Sequence, residues 1–390
     1  MTATTERPAA AAKAAPKAPH GNPWMPTFRG VGLVARIELT RRRPTTKGYI
    51  FYGLLVLAIL GLGILVAAVS APGLTSMPME LVLILVLGAG LLIAPSLSST
   101  SINGDSSEGV LAPMQMTRLT AGDLALGKLL ASWLFAVAVL ITTTPLLVYA
   151  FSRSGWHWYE LAAVLGAILF TVLTFTAIGL AWSSLAARAV ASVSLAHLTT
   201  GFLVLGTLVI FAFAMPLVSE TVTVTDRFVD YENLSADQQE AYQNGTADFS
   251  TLPCIEQSYE SSVAHTENIA WLLLANPMIV IGEASPVVNP NTYQEDGRAA
   301  PGVFAFMHQQ VGNAQLGPQD TPQGYDECAQ QADTGQSDQW EQQQEDQALF
   351  PRNPWVGLAL QAALLIGSVM ITIRRLRVPY KKLRAGTRVA

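Results

Sequence analysis

The sequence predicts an all-α polytopic membrane protein with six transmembrane helices, and three observations carry that prediction. Only 13% of the 390 residues are charged, against about 25% in an average soluble domain, while 51% are hydrophobic and mean hydropathy is +0.35. Six uncharged apolar runs, 49–71, 81–98, 129–151, 161–182, 193–217 and 355–373, approach the roughly 20 residues that a helix needs to cross a bilayer core. Lys and Arg divide 19 to 4 between the two sides that these runs define. By the positive-inside rule both chain ends are cytoplasmic, which an even number of spans requires. Such a composition argues against a disordered chain or a soluble enzyme, and two cysteines exclude a dense disulfide scaffold or a cysteine-rich zinc module.

Residues 1–24 are rich in Ala, Pro and Lys and lack the apolar core of a cleavable signal peptide, so they read as a disordered cytoplasmic tail. Over 25–47, Phe28, Val31, Val34 and Ile37 fall at helical spacing beside Arg29, Arg36 and Arg41 to Arg43. That pattern predicts an amphipathic elbow helix lying among membrane lipids at the inner interface. Spans one to five occupy 49–217, and only helices satisfy their backbone in lipid. His197 is the one ionisable residue inside the apolar runs. Trp156, Trp158 and Tyr159 fill a short outer loop, as interface anchors do. The loop 99–128 has turn and cap residues at Asn103, Gly104, Asp105 and Ser106, then an amphipathic run, then an N-cap at Thr120. Lys128 is expected to mark the inner end of the third span.

Residues 219–350 hold 21 Asp or Glu against 2 Lys or Arg, and form an acidic extracytoplasmic insert on this topology. Both cysteines lie in it, on the oxidising side, which predicts a Cys254–Cys328 disulfide; two unpaired buried thiols are the alternative. Closing that loop contributes up to about 4–5 kcal/mol in the chain-entropy picture. The stretch 329–347, with Trp340 its only aromatic, is too polar to form a core. The acidic pairs Asp326-Glu327 and Glu345-Asp346, with His265 and His308 elsewhere in the insert, match no metal-binding spacing and read as a solvated surface. The apolar stretch 269–282 is short and interrupted by Asn276-Pro277, so it is expected to be re-entrant or interfacial. The sixth span, 355–373, precedes a basic cytoplasmic tail at 374–390. The whole reads as a multi-pass protein of a bacterial cytoplasmic membrane.

Along the loop 99–128 stand Glu108, Gly109-Val110-Leu111, Leu119-Thr120 and Gly127-Lys128. In that order they resemble the corresponding loop in permease subunits of ATP-binding-cassette exporters of the second type, where a Glu, a Gly-Thr-Leu, a Thr-Pro-Leu-Ser and a Gly-Lys recur. Val110 replaces the usual Thr and Arg118 the usual Pro. The basic elbow, the six-span layout and the Asn276-Pro277 segment are similar too, so the resemblance covers about 25–217 and 268–384. It implies that two permease copies pair and that each docks a separate ATPase subunit through Ile102, Glu108, Gly109, Val110, Leu111, Met114, Arg118 and Leu119. It also implies that spans two and five line the path, which makes Ser96, Ser98, His197, Thr199 and Thr200 candidate lining; helix packing is their other reading. A largely apolar path implies an amphipathic, lipid-like or drug-like cargo. No cofactor belongs to this chain on that reading, and ATP and magnesium belong to the partner ATPase. The acidic insert is larger than most family members carry, and is a candidate surface for an extracytoplasmic partner.

Gly122-Asp-Leu-Ala-Leu-Gly127-Lys128-Leu129 approaches the phosphate-loop pattern but lacks its terminal hydroxyl residue and its preceding strand. No other catalytic motif occurs, so the chain is not expected to be an enzyme, and nothing in it points to nucleic acid. The competing class is a membrane receptor or assembly protein that binds a partner through the acidic insert without transport. An ion-coupled carrier is disfavoured by the scarcity of intramembrane charge.

Overall fold

The structure, a computed structural model, describes residues 24–41, 46–69, 76–244, 251–286, 302–318 and 353–377. Nearly all of the two tails, Cys328 and the polar stretch 329–347 lie outside the described residues. The chain is mostly helical. In order it forms α1 (Phe28–Arg41), α2 (Thr46–Val69), α3 (Met77–Ser98), α4 (Ser101–Ser107), α5 (Leu111–Gln115), α6 (Ala121–Ile141), α7 (Thr144–Ser154), α8 (Trp158–Leu185), α9 (Ala189–Gly201) and α10 (Thr207–Ala214). There follow strand β1 (Ser219–Val229), α11 (Ala236–Gln243), strand β2 (Cys254–Ala264), α12 (Trp271–Leu274), α13 (Pro277–Ala284), α14 (Val303–Leu316) and α15 (Pro354–Leu376).

Among the described residues, five helical runs are long and apolar enough to cross a membrane: Met77–Ser107, Ala121–Ile141, Trp158–Leu185, Ala189–Val218 and Pro354–Leu376. The protein is therefore a multi-pass membrane protein in its architecture. The first expected span, 49–71, coincides with α2, whose described apolar stretch is Val56–Leu65. At the centre of the bundle α3 lies against α8, where Leu83, Val86 and Leu87 share a buried cluster with Ile168, Val172 and Phe175. Small residues set this approach: a Cβ on Gly90 would stand 2.6 Å from Val172 Cγ2, and one on Gly179 would stand 3.1 Å from the Pro95 backbone.

Several expected boundaries move, each for a local reason. The third span begins at Ala121 rather than 129, and stops at Ile141 rather than running to 151. Thr142 and Thr143 turn their hydroxyls back to the carbonyls of Val139 and Leu140, and Pro145 in the first turn of α7 offers no N–H to continue the ladder. α7 then ends at Gly155, whose φ of 68° is open to glycine at little cost. The fifth span is one helix interrupted by a π-turn at Phe202–Gly206. Because α3, α6 and α8 extend beyond the apolar runs, they carry Glu80, Asp123, Lys128 and Glu160 within them, and His197 is no longer the sole ionisable group of the spanning helices.

The all-α reading needs one correction, since β1 and β2 pair antiparallel in unbroken register from Ser219↔Ala264 to Val229↔Cys254. Thr and Val alternate through β1, and period-two alternation of β-branched residues specifies a strand. This ribbon stands at the end of the bundle where α9–α10 finishes. Buried carboxylates tie the neighbouring helices together. Glu80, at the start of α3, accepts from Phe304 N at 2.8 Å and so caps α14; Gly302 lies so close to the Glu80 carboxylate that a Cβ there would collide with it. Glu283 of α13 meets His308 Nδ1 at 2.9 Å and accepts from Asn353 N at 3.1 Å, which anchors α14 and the start of α15.

At the ribbon's base, His265 bridges Glu267 through Nδ1 at 2.9 Å and Glu220 through Nε2 at 3.3 Å. Its pKa is raised, first by the hydrogen bond to Glu267 and then by that to Glu220. A raised imidazole pKa stabilises the fold below the ordinary value near 6.5, and the contribution fades as pH climbs through the raised one. Amide exchange of Glu220 and Thr221 should therefore be faster at about pH 9 than at about pH 6 beyond the intrinsic pH effect, and His265→Gln should abolish the excess. An equal excess in the variant would exclude the bridge as its cause.

Candidate functional site

The expected coupling segment folds as two short helices on the end of the bundle opposite the ribbon. Asn103, Gly104, Asp105 and Ser106, expected as turn residues, lie inside α4 instead. The turn falls at Gly109, with φ 72°, a conformation that a Cβ would strain. Ser183 of α8 receives the Ile102 and Asn103 N–H groups at 2.9 and 3.3 Å, so a span side chain satisfies the start of α4.

Lys128 is the centre of this site. It is fully buried, two turns into α6 rather than at the end of the span, and lysine takes such positions only when paired. Its ammonium donates to Glu38 of α1, to Asp105 of α4 at 2.5 Å and to the Ser101 carbonyl at 3.1 Å. Arg41 of α1 completes the group, with Nη1 2.8 Å from Asp105 and Nη2 2.9 Å from Glu108. The hydrogen bond to Asp105 is the first cause of an Arg41 pKa above its ordinary value. Three carboxylates and two cations thus bind α4 to α1 and α6.

The phosphate-loop look-alike in α6 has a structural explanation residue by residue. Gly122 admits the segment before α1, and Gly127 admits α1 itself, at close quarters, since Cβ atoms there would stand 2.7 Å from Trp24 O and 2.5 Å from Val34 Cβ. Asp123 accepts from Thr27 N at 2.5 Å and from Thr120 N at 2.9 Å, while Thr120 Oγ1 accepts from Asp123 N. One carboxylate therefore caps α1 and closes the capping box of α6 that Thr120 was expected to begin. Lys128, held by two carboxylates, has no role left toward a phosphate. In α1 the buried face is Gly30, Val34, Ala35 and Glu38, whereas Phe28 and Ile37 of the expected apolar stripe are exposed.

The expected docking residues separate into two groups. Ile102 and Leu111 are buried in a cluster with Val34, Leu124 and Leu180, and Met114 and Leu119 pack against it. These contacts fasten the segment to the bundle, with Ile102 and Leu111 buried and Met114 and Leu119 half-buried. Glu108, Gly109 and Arg118 are exposed and Val110 is half-buried; Met116, which the sequence reading passed over, is 81% exposed. Gln115 of α5 donates to the Leu376 carbonyl at 2.9 Å, which links the segment to the end of α15.

The expected lining residues also divide. Ser98 and Thr200 are buried and donate to Ala94 and Ala196 carbonyls within their own helices. Thr199 receives Trp182 Nε1 at 3.0 Å. Ser96 Oγ meets His197 Nε2 at 3.0 Å across α3 and α9. Ser96 also borders a cleft of about 330 Å³ shared with Glu38, Arg41, Asp105 and Glu108, so this polar pair adjoins the charged group. Asn276 caps α13 through Met278 N, and its Nδ2 donates to Val204 O at 2.7 Å and Thr207 Oγ1 at 3.1 Å. That amide serves a carbonyl inside the π-turn, a role the Asn276-Pro277 signal alone did not reveal. Cys254 opens β2, and its expected partner Cys328 lies outside the described residues.

No protein-family model matches the chain, and no curated protein matches it.

Proposed function

We propose that the chain is the permease subunit of an ATP-driven exporter in a bacterial cytoplasmic membrane, with both termini cytoplasmic, six spans and an elbow helix at α1. The observation that carries this reading is the fastening of α4. A short polar segment that begins with the last turns of the Met77–Ser107 run is held to α1, α6 and α8 by buried ion pairs and hydrogen bonds, while its outer tips, Ser106–Gly109 and Met116–Arg118, stay exposed. A push on those tips displaces three helices together, because a buried ionic group is costly to separate. On this reading a separate ATPase, loaded with ATP and magnesium, supplies the push, and two permease copies form the path for an amphipathic or lipid-like cargo. The Ser96–His197 pair lines that path. Cys254 and Cys328 form a disulfide in the insert, which a linked peptide pair in a non-reduced digest would reveal.

The test is co-purification from native membranes. Wild type should bring down a nucleotide-binding ATPase, and Met116→Asp combined with Arg118→Glu should lower the yield at least tenfold, because neither side chain supports the fold. Recovery of an unrelated protein held by the acidic insert, without any ATPase, would favour the receptor reading instead.

A further inference from the structure

The β1–β2 ribbon is built with an open side. Strand edges present unpaired N–H and C=O groups, and proteins usually blunt them with lysine, proline, a bulge or a short strand. β2 uses none of these: it is eleven residues long, contains no Lys, Arg or Pro, and runs in one-to-one register with β1. Six consecutive residues, Ile255 to Glu260, are exposed, and among the described residues nothing pairs with their outward edge. A two-stranded ribbon is marginal in water by itself, so a third strand would add stability as well as contact.

We propose that this edge of β2 receives a cationic polypeptide segment as a third, extended strand. The two faces state the chemistry of the occupant. Ile255 and Tyr259 share a face with Phe228 and Val224, their cross-strand partners, and both are about half exposed, at 49% and 48%. Glu256, Ser258 and Glu260 lie on the other face, where the nearest cation, Arg227, stands 3.6 Å from Glu256. A strand alternating basic and apolar residues places its cations by Glu256 and Glu260 and its apolar groups by Ile255 and Tyr259. A second copy of the ribbon fits poorly, since equivalent edges would bring like carboxylates together, in an insert holding 21 acidic and 2 basic residues.

The probe is a fluorescent heptapeptide of alternating Lys and Val, titrated against the full-length protein in nanodiscs, with a peptide carrying Pro in place of each Val as the charge-matched control. The Val peptide should bind saturably, slow amide exchange over Ile255–Glu260 at least tenfold, and lose about tenfold in affinity with Glu256→Gln plus Glu260→Lys. The Pro peptide, which cannot complete a ladder, should not bind. Equal binding of the two peptides, binding without protection of β2, no saturable binding, or protection that comes from ribbon-to-ribbon dimerisation would each overturn the proposal.

Discussion

Lys128→Met is expected to lower stability by about 3–5 kcal/mol, the cost of breaking a buried ion pair by removing one partner. The ammonium sits between Glu38 and Asp105 with no solvent access, so methionine fills its volume but leaves both carboxylates without the cation they share. Asp105 retains Arg41, and the larger loss falls on the α1–α6 contact. Adding Glu38→Gln should recover at least half of the loss, because it removes one uncompensated charge. Thermal unfolding in detergent compares the three proteins. A single variant that melts with wild type would deny the buried group its structural role, and a double variant no better than the single one would deny the charge argument.

Asp123→Ala is the second large effect, about 2–4 kcal/mol, because two helix starts lose a cap together and each cap contributes about 1–2 kcal/mol. Thr27 N and Thr120 N both rely on this carboxylate. Amide exchange should accelerate at Phe28–Val31 and at Ala121–Leu124 in the same variant. Thr120→Ala should accelerate only the second set, and Asp123→Asn, which keeps an acceptor oxygen, should fall between. Acceleration confined to α6 would show that α1 does not depend on Asp123.

What the sequence revealed followed from how local each signal is. Apolar runs predict spanning helices because the signal is summed over some twenty residues, and Thr120 predicts a cap because its partner Asp123 lies three residues away. The long-range pairings were not legible. Glu38, Asp105 and Lys128 are separated by 67 and 23 residues of sequence, and no periodicity connects them; only a lysine beside Gly127 and a lone glutamate in an otherwise basic amphipathic helix hinted that both needed partners. The ribbon was missed for a different reason. Its Thr and Val alternation is a usable strand signal, but the acidity of the surrounding segment masked it. Ile102 and Leu111 were read as docking residues because spacing does not say which side of a short helix faces the bundle.

The proposed function has a separate ATPase bear on the exposed tips of the α4–α5 segment. It is tested most directly by placing a photo-crosslinking amino acid at Met116 in the native host and identifying the adduct by mass spectrometry. The account predicts one dominant adduct, a nucleotide-binding ATPase whose crosslinking changes when ATP is depleted. An adduct with lipid alone, or with a protein that binds no nucleotide, would contradict it.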